Sequence, residues 1–296
     1  MGKVLFGPAG NSLAFYDEGH KSTLESPKWV KSQGAGKFEG GLDLFEYSFG
    51  QGFRTSTETA AEIGREFEKY GIEMSLHAPY FINFANPDPV MYEKSLGYIK
   101  TGIKFMKAFG AKRMVFHPGS CGKLTREEAV ALIMERFKEF MPEIEKLLDD
   151  DMLICPETMG KMMQIGTYKE VIDFCTVSEK LIPTFDFGHI NSLTQGALKT
   201  SDDFQKIFDY CFEKLGEERT KKAQIHFSKI QYGPKGEIKH LTFDDDIYGP
   251  DFEPLSEVLV KNDMSCHIIC ESDGTQAKDS VIMKDIYLKT LHKHLQ

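Results

Sequence analysis

Apolar residues fall into two alternating patterns along this chain. Short continuous runs recur every roughly 30 to 45 residues, as strands do in alternating strand–helix units. They lie at Val4–Phe6, Leu42–Tyr47, Glu73–His77, Arg113–His117, Met152–Glu157, Pro183–Asp186, Ala223–His226 and His267–Glu271. Between the runs, apolar positions step by three and four, as on one face of a helix. Thr55 and Glu58 have capping-box spacing ahead of Ala60, Ile63, Phe67 and Tyr70, and Gly71 closes that helix. Leu96, Ile99, Ile103 and Met106 form a stripe that stops at Gly110. Thr125 and Glu128 open a helix carrying Ile133 and Phe137, which Pro142 is expected to kink or shorten. Ser26-Pro27 starts a short helix ending near Gly34, while Phe204, Ile207, Cys211 and Leu215 make a stripe closed by Gly216.

Strict strand–helix alternation predicts a parallel sheet with right-handed crossovers. Eight such units in 296 residues predict an α/β fold of the (β/α)₈ TIM-barrel type, as a single domain over residues 1–296. An open doubly wound sheet is the alternative, but no glycine-rich phosphate loop follows the first run.

Composition narrows the setting. The chain is 41% hydrophobic and 27% charged, enough apolar material for a sizeable core. No apolar stretch approaches the roughly 18 residues of a membrane span, and the N-terminal residues have no export-signal pattern. The expectation is therefore a cytoplasmic protein, acting as a monomer and without a membrane partner. Six scattered cysteines without a CxxC pair read as reduced, buried thiols. A net charge of −9 argues against a protein that coats nucleic acid nonspecifically, though bound cations can reverse the sign of a local site.

The chemistry lies at the strand ends. His77, His117, Glu157, Asp186, His226 and Glu271 each end a different predicted strand. In a barrel those ends converge on one mouth, where active sites of this fold lie. His189, three residues past Asp186, and His240, after the seventh strand, can turn toward the same point. Gathering carboxylates and imidazoles there is costly without a cation, so the pattern predicts a metal cluster. Imidazole and carboxylate donors without thiolate suit Zn²⁺ first, then Mn²⁺ or Fe²⁺. Cys155 shares the inward face of Glu157 at a deeper level and reads as packing, whereas Cys270 should face the helices.

The segments His77-Ala78-Pro79-Tyr80-Phe81-Ile82-Asn83 and Phe116-His117-Pro118-Gly119-Ser120 closely resemble the endonuclease IV family of apurinic/apyrimidinic DNA repair enzymes. That family lies within the broader xylose isomerase-like barrels, and the similarity runs from the third strand to the C-terminus. The resemblance implies a trinuclear zinc cluster that cuts duplex DNA 5′ to an abasic site. It implies that His77, His117 and Glu157 hold one metal, and that Glu157 bridges to a second held also by Asp186, His226 and Glu271. His189 and His240 would serve a third. Glu157, which fixes the separation of the metal pair, is the expected catalytic carboxylate. The resemblance also places Tyr80 and Phe81 on a loop that enters the minor groove of abasic DNA.

The chain departs from the family in two places. The family's Asp-x-His before the position of His240 is altered: Ile238 stands where the Asp belongs, with Glu237 one place earlier. The His-x-Asn-Asp run after the seventh strand becomes His226-Phe227-Ser228-Lys229. The third site is thus one ligand short unless Glu237 or a residue from Asp244 to Asp246 reaches in. Arg54, Lys229, Lys235 and Lys239 are candidates for backbone phosphates. The missing Asp and the apolar loop Met159-Gly160-Lys161-Met162-Met163 keep open a second function, metal-dependent isomerisation or epimerisation of a small sugar.

Overall fold

The computed structural model describes residues 2–296. Eight parallel strands form the barrel: β1 (Leu5–Pro8), β2 (Leu44–Ser48), β3 (Glu73–His77), β4 (Arg113–Phe116), β5 (Leu153–Pro156), β6 (Thr184–Asp186), β7 (Gln224–Phe227) and β8 (His267–Cys270). Two four-stranded arcs, β2-β3-β4-β5 and β1-β8-β7-β6, share the wall. Parallel bridges close it: Ala9 with Glu46 at one seam, Ile154 with Leu181 and Glu157 with Thr184 at the other. The predicted strands all lie within two residues of the observed ones, the shift being largest at β1 and β2.

Alternation along each strand sorts side chains into two layers. Outward residues such as Phe45, Phe116, Phe185 and Phe227 join helix residues Phe67, Phe137, Phe174 and Phe208 in one continuous apolar layer. The twelve largest fully buried side chains are all phenylalanines. Each contributes about 2–3 kcal/mol relative to exposure. Inward residues make two small apolar clusters, Leu5-Leu44-Ile269 and Val115-Cys155-Ile182. Cys155 therefore packs inside the barrel, and Cys270 belongs to the outer layer. All six cysteines are buried and unpaired.

The helix signals are mostly observed, with local differences. Thr125 and Glu128 form a reciprocal capping box on the helix Arg126–Glu145. That helix runs through Pro142, which removes one donor only in the last turn. The helix Thr57–Lys69 is capped by Ser56, whose hydroxyl accepts from Thr59 N at 3.2 Å, and not by Thr55. Gly216, at φ 77°, interrupts the helical segment Ser201–Lys221. No helix among the described residues is long and apolar enough to cross a membrane.

Loops on the C-terminal face build a wall along one side of the mouth. Gly119–Ser120 pairs antiparallel with Gln164–Ile165, and Ile230–Gly233 forms a hairpin with Gly236–His240. A bridge from Lys161 to Gly236 ties the two pairs together. Arg126 braces the loop between: its guanidinium donates to the carbonyls of Met162 (3.0 Å) and Gln164 (3.2 Å) and forks onto Glu170.

Candidate metal centre

Inward parity brings the residues at the strand ends into one cluster. His77 ends β3, His117 and Glu157 directly follow β4 and β5, Asp186 ends β6, His226 lies in β7 and Glu271 follows β8. Their ligand atoms form two groups, each with all atoms within 4.8 Å of one another: His77, His117 and Glu157; and Glu157, Asp186, His226 and Glu271. Glu157 belongs to both. Its Oε2 lies 3.1 Å from Nε2 of His77 and of His117, while Oε1 lies 2.9 Å from Nδ1 of His226.

Asp186 does two jobs. Its Oδ1 accepts the backbone N–H of His189 at 2.7 Å and so caps the helix Phe187–Leu193. This cap explains the spacing of Asp186 and His189 and brings the imidazole back to the mouth. Oδ2 is buried without a hydrogen-bond partner. His189 Nδ1 stands 3.3 Å from that oxygen but is committed to the Thr158 carbonyl at 2.9 Å.

A third group contains His189, Glu237 and His240. Glu237 Oε2 is 3.4 Å from His189 Nε2. The hairpin pairs Gln231 with Lys239 and Tyr232 with Glu237, leaving Ile238 extruded as a bulge and 57% exposed. The bulge turns Glu237 onto the same side as His240. Two glycines permit the approach. A Cβ on Gly160 would lie 2.9 Å from both Glu237 Cβ and His189 Cδ2, and one on Gly236, at φ 94°, would lie 2.1 Å from the Gly160 carbonyl oxygen. Glu237, the neighbour of Ile238, therefore stands with His189 and His240. Asp244 pairs with Lys278, and Asp245 accepts backbone N–H groups of Ile247 and Tyr248, so neither joins the group.

Most of the imidazoles are oriented from behind. His77 Nδ1 faces the Ala78 carbonyl (2.8 Å), His189 Nδ1 the Thr158 carbonyl, and His240 Nδ1 the Ser228 hydroxyl (2.8 Å). His226 reverses the pattern: Nε2 meets Glu46 and Nδ1 faces the cluster. Each inner nitrogen is thus left toward the mouth, the arrangement metal-binding imidazoles require.

The electrostatics call for cations. Burial pushes the Glu271 carboxyl well above its ordinary range, with help from Glu157, Asp186 and Glu46 and opposition from His226. Burial also works to raise Glu157, but the charge of His226 and hydrogen bonds from His117, His226 and His77 hold it well below. Burial acts to lower His226, yet Glu46, Glu271 and Glu157 lift it well above the usual imidazole range. In the form that would bind metal, with all five carboxylates (Glu46, Glu157, Asp186, Glu237, Glu271) ionised and the imidazoles neutral, the cluster would carry −5, which two or three divalent ions would bring to −1 or +1. The donor set and the orphaned Asp186 oxygen fit such ions.

Sequence reasoning missed Glu46. It sits inside β2 rather than at its end, although its parity with Leu44 places it on the inward face. Tyr80 and Phe81 stand at the rim, 56% and 54% exposed. The Tyr80 ring stacks on His117 at 5.3 Å, and its backbone N–H bonds to the Gly50 carbonyl at 3.1 Å. Lys229 is not free for a phosphate, because it donates to the Asp245 carbonyl (2.6 Å) and pairs with Asp251 (3.3 Å). Arg54, Lys235 and Lys239 are exposed. The cleft over the cluster holds about 480 Å³, with Tyr80, Met159, Lys161 and Gln164 in its walls. Met162 and Met163 lie exposed on the adjoining rim.

Comparison with known proteins agrees on the architecture. Residues 34–288 match the family model described as xylose isomerase-like TIM barrel. An uncharacterized protein of Methanocaldococcus jannaschii is 29% identical over 225 residues, 75% of this chain and 81% of that one. A probable endonuclease 4 of Staphylococcus carnosus is 31% identical over 180 residues, 58% of each chain, so the match spans little more than half of that relative. Among solved structures, a D-tagatose 3-epimerase-like protein aligns with TM-score 0.68 at 18% identity, covering 86% of this chain and 91% of that one. Endonuclease IV of Thermus thermophilus gives 0.60 at 17%, covering 93% and 96%. The IOLI protein, solved with a bound zinc atom, gives 0.65 at 16%, covering 98% of both. At these identities the structural matches speak for the fold, and the family model covers most of the length: the chain belongs to the xylose isomerase-like TIM-barrel family.

Proposed function

We propose that this protein is a metal-dependent endonuclease that hydrolyses the phosphodiester 5′ to abasic sites in duplex DNA. The observation that carries this reading is the third ligand group. The missing Asp is one of the two sequence features that favour sugar chemistry, and Glu237 supplies a carboxylate in its place. His77 and His117 would hold one ion with Glu157; Asp186, His226 and Glu271 a second with Glu157; His189, Glu237 and His240 a third. Zn²⁺ suits these donors best and Mn²⁺ next; such ions supply an acidified water and positive charge beside a phosphate.

The chain's own groups do the rest. Glu157, with one oxygen toward each of the first two groups, fixes their separation and is the residue on which catalysis turns. Tyr80 and Phe81 offer half-exposed aromatic faces beside the cluster, suited to stack where a base is absent. The partial relatives named endonuclease 4 support the same activity.

A cleft of about 480 Å³ with Met159 in its wall favours a second reading, epimerisation of a small sugar at the group containing Glu157, Asp186, His226 and Glu271. The experiment that separates them presents metal-loaded protein with a labelled duplex bearing one abasic analogue, an intact duplex, and a panel of ketoses and aldoses. Nicking 5′ to the lesion alone is expected. Interconversion of a sugar without nicking overturns the proposal.

A further inference from the structure

We propose that Glu46 is a positioning residue for the metal centre: it takes the Nε2 proton of His226 as a hydrogen bond and so leaves Nδ1 free as the ligand atom. This rests on the reading above that His226 holds a metal.

Glu46 is 1% exposed, deep in the barrel beneath the strand-end ligands. A carboxylate there needs partners that compensate for lost water. Its partners are neutral groups and one imidazole. Its Oε2 accepts from the Ser75 hydroxyl at 2.8 Å, from the Gln224 side-chain amide at 3.4 Å and from His226 Nε2 at 3.2 Å, with Oε1 also 3.1 Å from that nitrogen. One step further down, Arg113 donates to Gln224 Oε1 at 3.1 Å and to the Ala223 carbonyl at 3.2 Å. A buried polar column therefore rises through the barrel from Arg113 through Gln224 and Glu46 to His226.

The polarity of that column is fixed from its lower end. Arg113 can only donate, so Gln224 accepts with its oxygen and turns its NH₂ toward Glu46. An ionised carboxylate can only accept, so Ser75, Gln224 and His226 all donate to it. His226 must then carry its proton on Nε2. Its Nδ1 lies 2.9 Å from Glu157 and 3.3 Å from Glu271, within the four-residue ligand group. The other oriented imidazoles use a neutral carbonyl or hydroxyl behind them; among them His226 alone has a carboxylate, the stronger acceptor.

Glu46→Gln is the discriminating change because it keeps the shape and reverses the logic. Gln224, held by Arg113, still donates toward the Oε2 position, so the new amide keeps its oxygen there. Its NH₂ then takes the Oε1 position, 3.1 Å from His226 Nε2, where a donor opposes the Nε2 proton, while the oxygen left at 3.2 Å is only a neutral acceptor. The preference for the proton on Nε2 is weakened, and a proton on Nδ1 competes with the metal.

The test compares wild type and Glu46→Gln, both with circular dichroism checked, by competitive Zn²⁺ titration against a chelator. One equivalent should weaken roughly 10- to 100-fold, the usual effect of losing such a partner, while the others hold. Nitrogen-15 NMR of histidine-labelled, zinc-loaded wild type should show His226 protonated on Nε2 and coordinated through Nδ1. The reverse assignment overturns the proposal even if Glu46→Gln does not fold. A folded Glu46→Gln with wild-type affinity at every site overturns it too, while leaving the metal centre itself standing. Wild-type protein that takes up no metal overturns the proposed function, and this role with it.

Discussion

Glu237 and His240 stand three residues apart on one strand, yet a Glu237 carboxylate oxygen lies 4.0 Å from His240 Nε2 and both face His189. Residues so spaced point to opposite faces of a regular strand. The extruded Ile238 restores them to one face. Glu237→Gln should therefore remove one metal equivalent while Ile238→Asp, at an outward-facing position, leaves the metal content unchanged. Elemental analysis of both variants checks this. A gain of metal in Ile238→Asp would show that the bulge does not persist in solution.

Glu157→Gln should keep the fold and lose at least about 100-fold in turnover, since an amide cannot carry the charge shared between two ligand groups. Steady-state rates with thermal melts of both proteins decide it. Unchanged turnover would place the chemistry elsewhere.

Replacing Tyr80 and Phe81 together by Ala should weaken binding to abasic duplex by about 10-fold or more, on the scale of lost base–aromatic stacking. Metal content should not change, because neither residue belongs to a ligand group. Fluorescence anisotropy with a labelled duplex, repeated at two salt concentrations, separates stacking from phosphate attraction.

Glu170 ties the rim loop to the helix Tyr168–Cys175, accepting from Arg126 and from the N–H groups of Gly166 (3.0 Å) and Thr167 (2.8 Å). Burial acts to raise this carboxyl, but the Arg126 hydrogen bond and the backbone donors hold it below the ordinary glutamate range. A lowered folded-state pKa means stability that is present at neutral pH and lost as pH falls below about 4. Glu170→Gln should cost about 1–2 kcal/mol at pH 7, allowing for partial exposure, and progressively less in acid. Urea denaturation at several pH values measures the difference. A gap that widens in acid contradicts this sign.

How much of this was legible in the sequence differs from residue to residue. The eight strands and the six metal-type side chains at or beside their ends could be read directly, because apolar runs mark strands and strand ends share one mouth. Glu46 was passed over because attention to the last residue of each run ignores the inward positions below it. Glu237 could be named only as an alternative: a bulge depends on hairpin pairing and on the contact between Gly160 and Gly236, both long-range. The shift of a cap from Thr55 to Ser56 reflects the usual uncertainty at helix ends, settled by one hydroxyl at 3.2 Å.

The most direct measurement is the count of metal bound to protein purified without chelator. Three candidate ligand groups at one mouth, two of them sharing Glu157, predict at least two equivalents of Zn²⁺ or a related divalent ion per chain. Less than half an equivalent, in protein shown to be folded, would contradict the account at its centre.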